Sequence, residues 1–124
     1  VTMFFTFWGL TALRRSEYVD VKKSFIEKMF GAMLPRGVNK LSLSKMNMAG
    51  MGTLLMKKIM NDKNVNSLED LVKKAISNGV HITACSMSMD VMGVKQEELL
   101  NHVKLGGVAP YLERAEEANL NLFI

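Results

Sequence analysis

The chain has a single cysteine, Cys85, in 124 residues, so no disulfide can form within it. That scarcity points to a reducing compartment, and the cytoplasm is the expected location; the one disulfide open to the chain is a bridge to another molecule. No run of residues reaches the roughly 18 apolar positions of a membrane span. The nearest, Val1 to Leu13, is broken by three threonines and a glycine, and it lacks the basic start and small-residue cleavage site of a signal peptide. There is no internal repeat and no low-complexity linker, and the length suits one domain over residues 1–124. Nucleotide-binding fingerprints are missing: Gly50-Met51-Gly52 has no clear strand before it and no third glycine. A phosphate loop with its Lys-Ser/Thr pair and any spacing typical of metal ligands are also missing, so neither a cofactor nor a metal is expected. The Pro-x-x-x-Thr/Ser-x-x-Cys setting of a peroxidatic cysteine does not surround Cys85, which argues against peroxidase chemistry.

What is present is an ordinary globular composition, 48% apolar and 23% charged. The net charge of +4 is unevenly spread: residues 1–63 hold eleven Lys/Arg against four Asp/Glu, and residues 64–124 hold five against eight. A basic half suits an acidic partner or a nucleic acid. Aromatic residues do not alternate with the basic ones, so solvated helical faces explain the charge and no nucleic-acid partner is expected.

Strand-like and helix-like segments alternate. Val1 to Phe7 is β-branched and aromatic and reads as a buried strand, which Trp8-Gly9 breaks, with Gly9 suited to a tight turn. A short helix over Leu10 to Arg15 follows, then a longer one from about Val19 to Met33. Pro35-Arg36-Gly37 marks a turn, and Leu41 to Met48 is a short strand or an extended loop. Ala49 to Lys63 is helical. Ser67 caps a helix over Leu68 to Asn78, with Asp70 in capping-box-like spacing and Asn78-Gly79 as a left-handed stop. Val80 to Cys85 is a strand, and Asp90 to Asn101 contains a helix clearest at Lys95 to Leu100. His102 to Leu105 is a short strand, Val108 to Ala118 a helix and Leu120 to Ile124 a last strand. Strands separated by helices imply an α/β fold with a mostly parallel central sheet covered on both faces. Residues 36–52 have no firm period and are expected to be the least ordered internal segment.

In such sheets sites gather at the carboxyl ends of strands, where Cys85 falls. A thiol there, just before a helix start, meets unpaired backbone N–H groups that favour the reactive thiolate. Cys85 is therefore expected to be partly reachable by solvent, with the N–H groups of residues 86–88 nearby. Ser86 and Ser88 suit donation to a sulfur anion as well as satisfaction of turn backbone. Asp90 fits a helix cap better than a residue orienting a partner. His81 and His102 each start a strand far from Cys85 in sequence and are read as structural rather than as half of a Cys-His dyad. The eleven methionines read as adaptable core and contact surface. The clusters around Met46 to Met60 and Met87 to Met92 make Cu(I) conceivable as a soft-ligand site, but no His or second Cys completes it. Asn47 to Gly52 is a candidate lid over Cys85, and Trp8 and Gly9 are candidates to line the same crevice.

Four stretches together carry a resemblance: Phe4-Phe5-Thr6-Phe7-Trp8-Gly9-Leu10, Leu43 to Gly52, Ala84-Cys85-Ser86-Met87-Ser88-Met89-Asp90-Val91-Met92-Gly93, and Gly106-Gly107-Val108-Ala109. In this order, over nearly the whole chain, they resemble the DsrE/DsrF/DsrH-like family, in particular its DsrE-type sulfur-carrier subgroup, often labelled peroxiredoxin-like. The resemblance implies a three-layer α/β/α fold, often built into trimers or larger rings. It also implies sulfur relay, in which a cysteine holds sulfane sulfur as a persulfide and yields it to another protein's thiol. The family's carrier cysteine maps onto Cys85. Family members usually have a strand and helix before the segment matching Val1 to Leu10, and that unit is expected to be lacking or not shown in this sequence.

The expected function is thus a cytoplasmic sulfur carrier, with a possible sulfurtransferase activity through Cys85, supported by Trp8, Gly9, Ser86, Met87, Ser88 and Asp90. Its partners are sulfur donor and acceptor proteins. The alternative is a non-catalytic module that binds a thiol-containing or CoA-like ligand or serves a disulfide reductase. The apolar content and the Met-rich segments point to a homo-oligomer; a trimer or a multiple of it is what the resemblance adds.

Overall fold

A computed structural model describes residues 1–42 and 47–122. Three parallel strands form the sheet in the order β1 (Thr2–Phe5), β2 (His81–Cys85) and β3 (Lys104–Gly106). Thr2 pairs with His81 and Phe5 with Ala84 across β1 and β2, while Thr83 pairs with Lys104 and Cys85 with Gly106 across β2 and β3. Six helices accompany them: α1 (Leu10–Leu13), α2 (Phe25–Met33), α3 (Met51–Asp62), α4 (Leu68–Ser77), α5 (Ser86–Met92) and α6 (Val108–Glu116).

Side chains alternate along a strand, so β2 sends Ile82 and Ala84 to one face and Thr83 and Cys85 to the other. Ile82 and Ala84 meet Leu10 and Leu13 of α1, Met89 of α5, and Val94 and Leu99 beyond it, with Val72 and Ile76 of α4 at the margin. On the opposite face α6 packs against β3, and its Tyr111 reaches Phe4 of β1 with ring centroids 5.1 Å apart. Helices on both faces of a parallel sheet give the expected three-layer α/β/α architecture.

Several elements depart from the sequence expectation. α2 begins at Phe25, not near Val19, because Ser24 caps it: the Glu27 N–H donates to Ser24 Oγ at 3.3 Å and the Ser24 N–H to Glu27 Oε2 at 2.8 Å. The helix placed around Lys95 to Leu100 lies earlier, as α5, and ends at Gly93 with φ of +63°. A Cβ on Gly93 would lie 3.0 Å from the Glu27 Cα, so glycine also lets α2 and α5 approach. What remains of the expected helix is a 3-10 turn over Gln96–Glu98, because Val94, Glu98 and Leu99 are all drawn inward. His102 does not start β3; it sits in a turn with φ of +71°. Leu120 to Leu122 form no strand, since Asn121 Nδ2 donates to the Ala115 carbonyl at 2.9 Å and folds the chain back on α6; Phe123 and Ile124 lie outside the described residues. Leu41 and Ser42 are irregular and Met48–Gly50 is a 3-10 turn leading into α3, while residues 43–46 of the expected strand or loop lie outside the described residues.

A buried carboxylate with several cationic partners was not singled out in the sequence. Glu98, about 1% exposed, receives Arg14 Nη2 at 2.9 Å, Lys23 Nζ, Arg36 Nη1 at 3.3 Å and the Lys95 backbone N–H at 2.9 Å. The buried Arg14 also donates to the carbonyls of Gly31, Leu34 and Pro35. One carboxylate thus ties α1, the segment before α2, the loop after α2 and the Gln96–Glu98 turn together.

Candidate functional site

Cys85 is the last residue of β2 and the N-cap of α5, with extended backbone (φ −70°, ψ 114°) that turns directly into the helix. It is 6% exposed. The strand-end position agrees with expectation and the burial does not. The sulfur is closed in because strand pairing sets Cys85 against Gly106, while Ser86 of α5 closes over β3 by donating from its Oγ to the Gly106 carbonyl at 3.5 Å. A Cβ on Gly106 would come within 2.8 Å of Thr83 Cγ2, so the strands can close beside the thiol only with glycine at that position.

Burial is the largest influence on this thiol and pushes its pKa up, since a thiolate loses its hydration there. The Ser88 hydroxyl, then the N–H groups of Ser88 and Met87, act on the sulfur as neutral donors and together outweigh that effect, so the pKa of the thiol lies below its ordinary value. Ser88 is itself buried.

The expected supporting residues divide. Ser88 and the Met87 N–H reach the sulfur, whereas Ser86 serves the backbone of β3. Asp90 does not cap a following helix: it lies within α5, exposed, and Cys85 holds the cap position. Trp8 and Gly9 form a 3-10 turn over Phe7–Gly9 that contacts α5, with Trp8 63% exposed. Gly9 has an ordinary helical φ of −59° and a Cβ there would make a normal 3.5 Å contact with Phe5, so no special turn requires it. The segment proposed as a lid is built into the start of α3, where Thr53 Oγ1 donates to Asn47 Oδ1 at 2.7 Å; the part of its motif at residues 43–46 lies outside the described residues.

His81 is four residues from Cys85 on the same strand, about 13 Å away at normal strand rise. It lines a separate cavity of about 390 Å³ at the opposite end of the sheet, together with His102 and Lys104. No Cys-His dyad forms. Among the described residues, no three His, Cys, Asp or Glu side chains converge in a way that could hold a metal ion, and no helix is long and apolar enough to cross a membrane.

A buried thiol at the carboxyl end of a central parallel strand, its pKa lowered by neutral donors, marks an α/β protein with one cysteine-centred candidate site. Residues 1–123 match the model of the DsrE/DsrF/DrsH-like family, and the chain belongs to that family. It is 52% identical over 124 residues to the "Uncharacterized protein YrkE" of Bacillus subtilis (strain 168), covering 100% of this chain and 78% of that protein. It is 32% identical over 128 residues to the "Sulfur carrier protein DsrE2" of Allochromatium vinosum, covering 100% of this chain and 79% of that protein.

Proposed function

We propose that residues 1–124 act as one DsrE-like domain that carries sulfane sulfur on Cys85 in a sulfur relay between proteins in the cytoplasm. The observation that carries this reading is the position of Cys85 at the β2–α5 junction, where Ser88 and the Met87 N–H favour its thiolate despite burial. The Cys85 thiolate attacks the outer sulfur of a donor persulfide. The donor S–S bond breaks, the donor leaves as a thiolate, and a Cys85 persulfide forms. An acceptor thiolate then attacks the terminal sulfur, the new S–S bond breaks, and Cys85 is returned as a thiolate. One sulfur atom moves in each step and no external oxidant or reductant is consumed. The protein works as a homo-oligomer, a trimer or a multiple of it, and a donor and an acceptor protein are its partners.

Intact-mass measurement after polysulfide treatment tests the assignment. The wild type gains sulfur mass and Cys85→Ser gains none; no gain on the wild type, or equal gain on both, removes the reading. The 6% exposure of Cys85 favours a second reading, a module that holds a thiol-containing or CoA-like ligand without accepting sulfur. That reading predicts a ligand retained by Cys85→Ala and no sulfur mass on the wild type.

A further inference from the structure

Gly106 pairs with Cys85 across β2 and β3. The glycines with positive φ are Gly37, Gly50, Gly79 and Gly93, so the backbone at position 106 does not call for glycine. The constraint there is space. A Cβ on Gly106 would lie 3.8 Å from Phe4 Cε2 and from Pro110 Cβ, both ordinary contacts, but 2.8 Å from Thr83 Cγ2, which is too close. Thr83 stands two residues before Cys85 and shares its face of β2. Its β-branched side chain is stiff, and its backbone is paired on both sides, with Phe4 and with Lys104. One methyl group, that of Thr83, therefore limits what position 106 can carry. Gly107 beside it is the contrast: its φ is −100°, and a Cβ there would meet nothing within 4 Å.

The two influences on the Cys85 sulfur come from different parts of the chain. Its donors, the Ser88 hydroxyl and the N–H groups of Ser88 and Met87, belong to the same continuous segment as the thiol and move with it. Its cover comes from across the strand pair, where Gly106 lies opposite Cys85 and Ser86 Oγ donates to the Gly106 carbonyl at 3.5 Å. The closure of β3 on β2 thus bears on the burial of the sulfur and not on its hydrogen bonding.

We propose that Gly106 is a positioning residue for Cys85: by leaving room for the Thr83 methyl it lets β3 close beside the thiol, and so sets how far the sulfur is shut away from attack. A side chain at position 106 prises the strands apart at the Cys85–Gly106 pair, uncovers the sulfur and leaves its donors in place. What this control means for sulfur transfer rests on the carrier reading above; the control of the thiol itself does not.

The rate of iodoacetamide alkylation, followed from neutral to alkaline pH, tests it, with circular dichroism confirming that each variant is folded. Gly106→Ala raises the rate at neutral pH at least about threefold and moves the midpoint of the pH profile down, because burial is relieved while the donors stay. A tenfold gain in thiolate is worth about threefold in rate once the weaker nucleophilicity of a more acidic thiol is counted. Thr83→Ser removes the opposing methyl, so Gly106→Ala combined with it returns the rate and profile to those of Thr83→Ser alone. Gly107→Ala changes neither. Lower stability in Gly106→Ala with an unchanged rate and profile assigns Gly106 to packing alone and overturns the proposal. So does a fall in rate, a double variant that stays fast, or a Gly107→Ala variant as fast as Gly106→Ala. Should Gly106→Ala not fold, Ser86→Ala decides, since it unties α5 from the Gly106 carbonyl without adding bulk: a faster rate is expected, and an unchanged or slower one overturns the proposal. Sulfur mass after polysulfide treatment is read separately. A wild type that gains none removes the carrier reading, and alkylation still decides the role of Gly106.

Discussion

Glu98 and Cys85 are two buried acids served in opposite ways. The Glu98 carboxylate meets three cationic side chains and a backbone N–H, so its charge is neutralised where it lies. Burial raises its pKa most, but Lys23, the Lys95 N–H and Arg14 together hold it below the usual carboxylate range. Among the described residues Cys85 meets no cation: the donors that lower its pKa are a hydroxyl and two backbone N–H groups. Neutral dipoles favour the thiolate without pairing off its charge, which is what the proposed carrier role asks of it. The contrast separates a charge neutralised by cations within the fold from a thiol favoured as its anion by neutral donors alone.

The largest test of that contrast is Glu98→Ala. It strands Arg14 and Lys23 as uncompensated buried charges and is expected to cost about 3–5 kcal/mol in urea unfolding. Sulfur loading of the fraction that remains folded should be unaffected. A cost below about 1 kcal/mol would mean that the cations find water or other partners when the carboxylate goes.

The two acids should also act in different pH windows. Glu98 has a folded-state pKa below its ordinary 4.5, so its contribution is complete above that value and is lost as pH falls through the lower folded value. Cys85 has a folded-state pKa below its ordinary 9.0, so its contribution is complete only above that value and fades as pH falls through the folded one. Urea midpoints measured from acid to alkaline pH should show Cys85→Ser losing the alkaline rise and keeping the acid transition. A shifted acid transition in that variant would show the two sites to be coupled.

A smaller effect is expected for Ser88→Ala, which removes the leading donor to the sulfur. The thiol pKa should move up, seen as a fall in iodoacetamide alkylation rate at neutral pH, with a stability loss of about 1 kcal/mol. An unchanged rate would pass the role to the backbone N–H groups alone. Asp90→Ala should do least: an exposed carboxylate inside α5 that caps nothing is expected to shift stability by less than about 0.5 kcal/mol and to leave the alkylation rate alone.

The elements that local chemistry dictates were legible in the residues. Ser67 caps α4, accepting from the Asp70 N–H at 3.2 Å, and Gly79 ends it with φ of +77°. β1 and β2 follow from runs of β-branched and aromatic residues, though β1 is an edge strand over Thr2–Phe5 with Thr2 and Met3 exposed and not the buried strand expected over Val1 to Phe7, and the family motif at Ala84 to Gly93 located the thiol. These signals span a few neighbouring residues, so sequence spacing contains them whole. Tertiary structure alone decided the rest. Helical period could not show that Lys23 and Glu98, 75 residues apart, would meet and that the Gln96–Glu98 region would be a turn drawn inward instead of a helix. Nor could the order of residues tell Ser88 from Ser86, because which hydroxyl reaches sulfur and which reaches the Gly106 carbonyl depends on how α5 lies against β3. Spacing fixes which side chains share a face; the packing of elements distant in sequence fixes what that face meets, and with it the burial and the charge of each group.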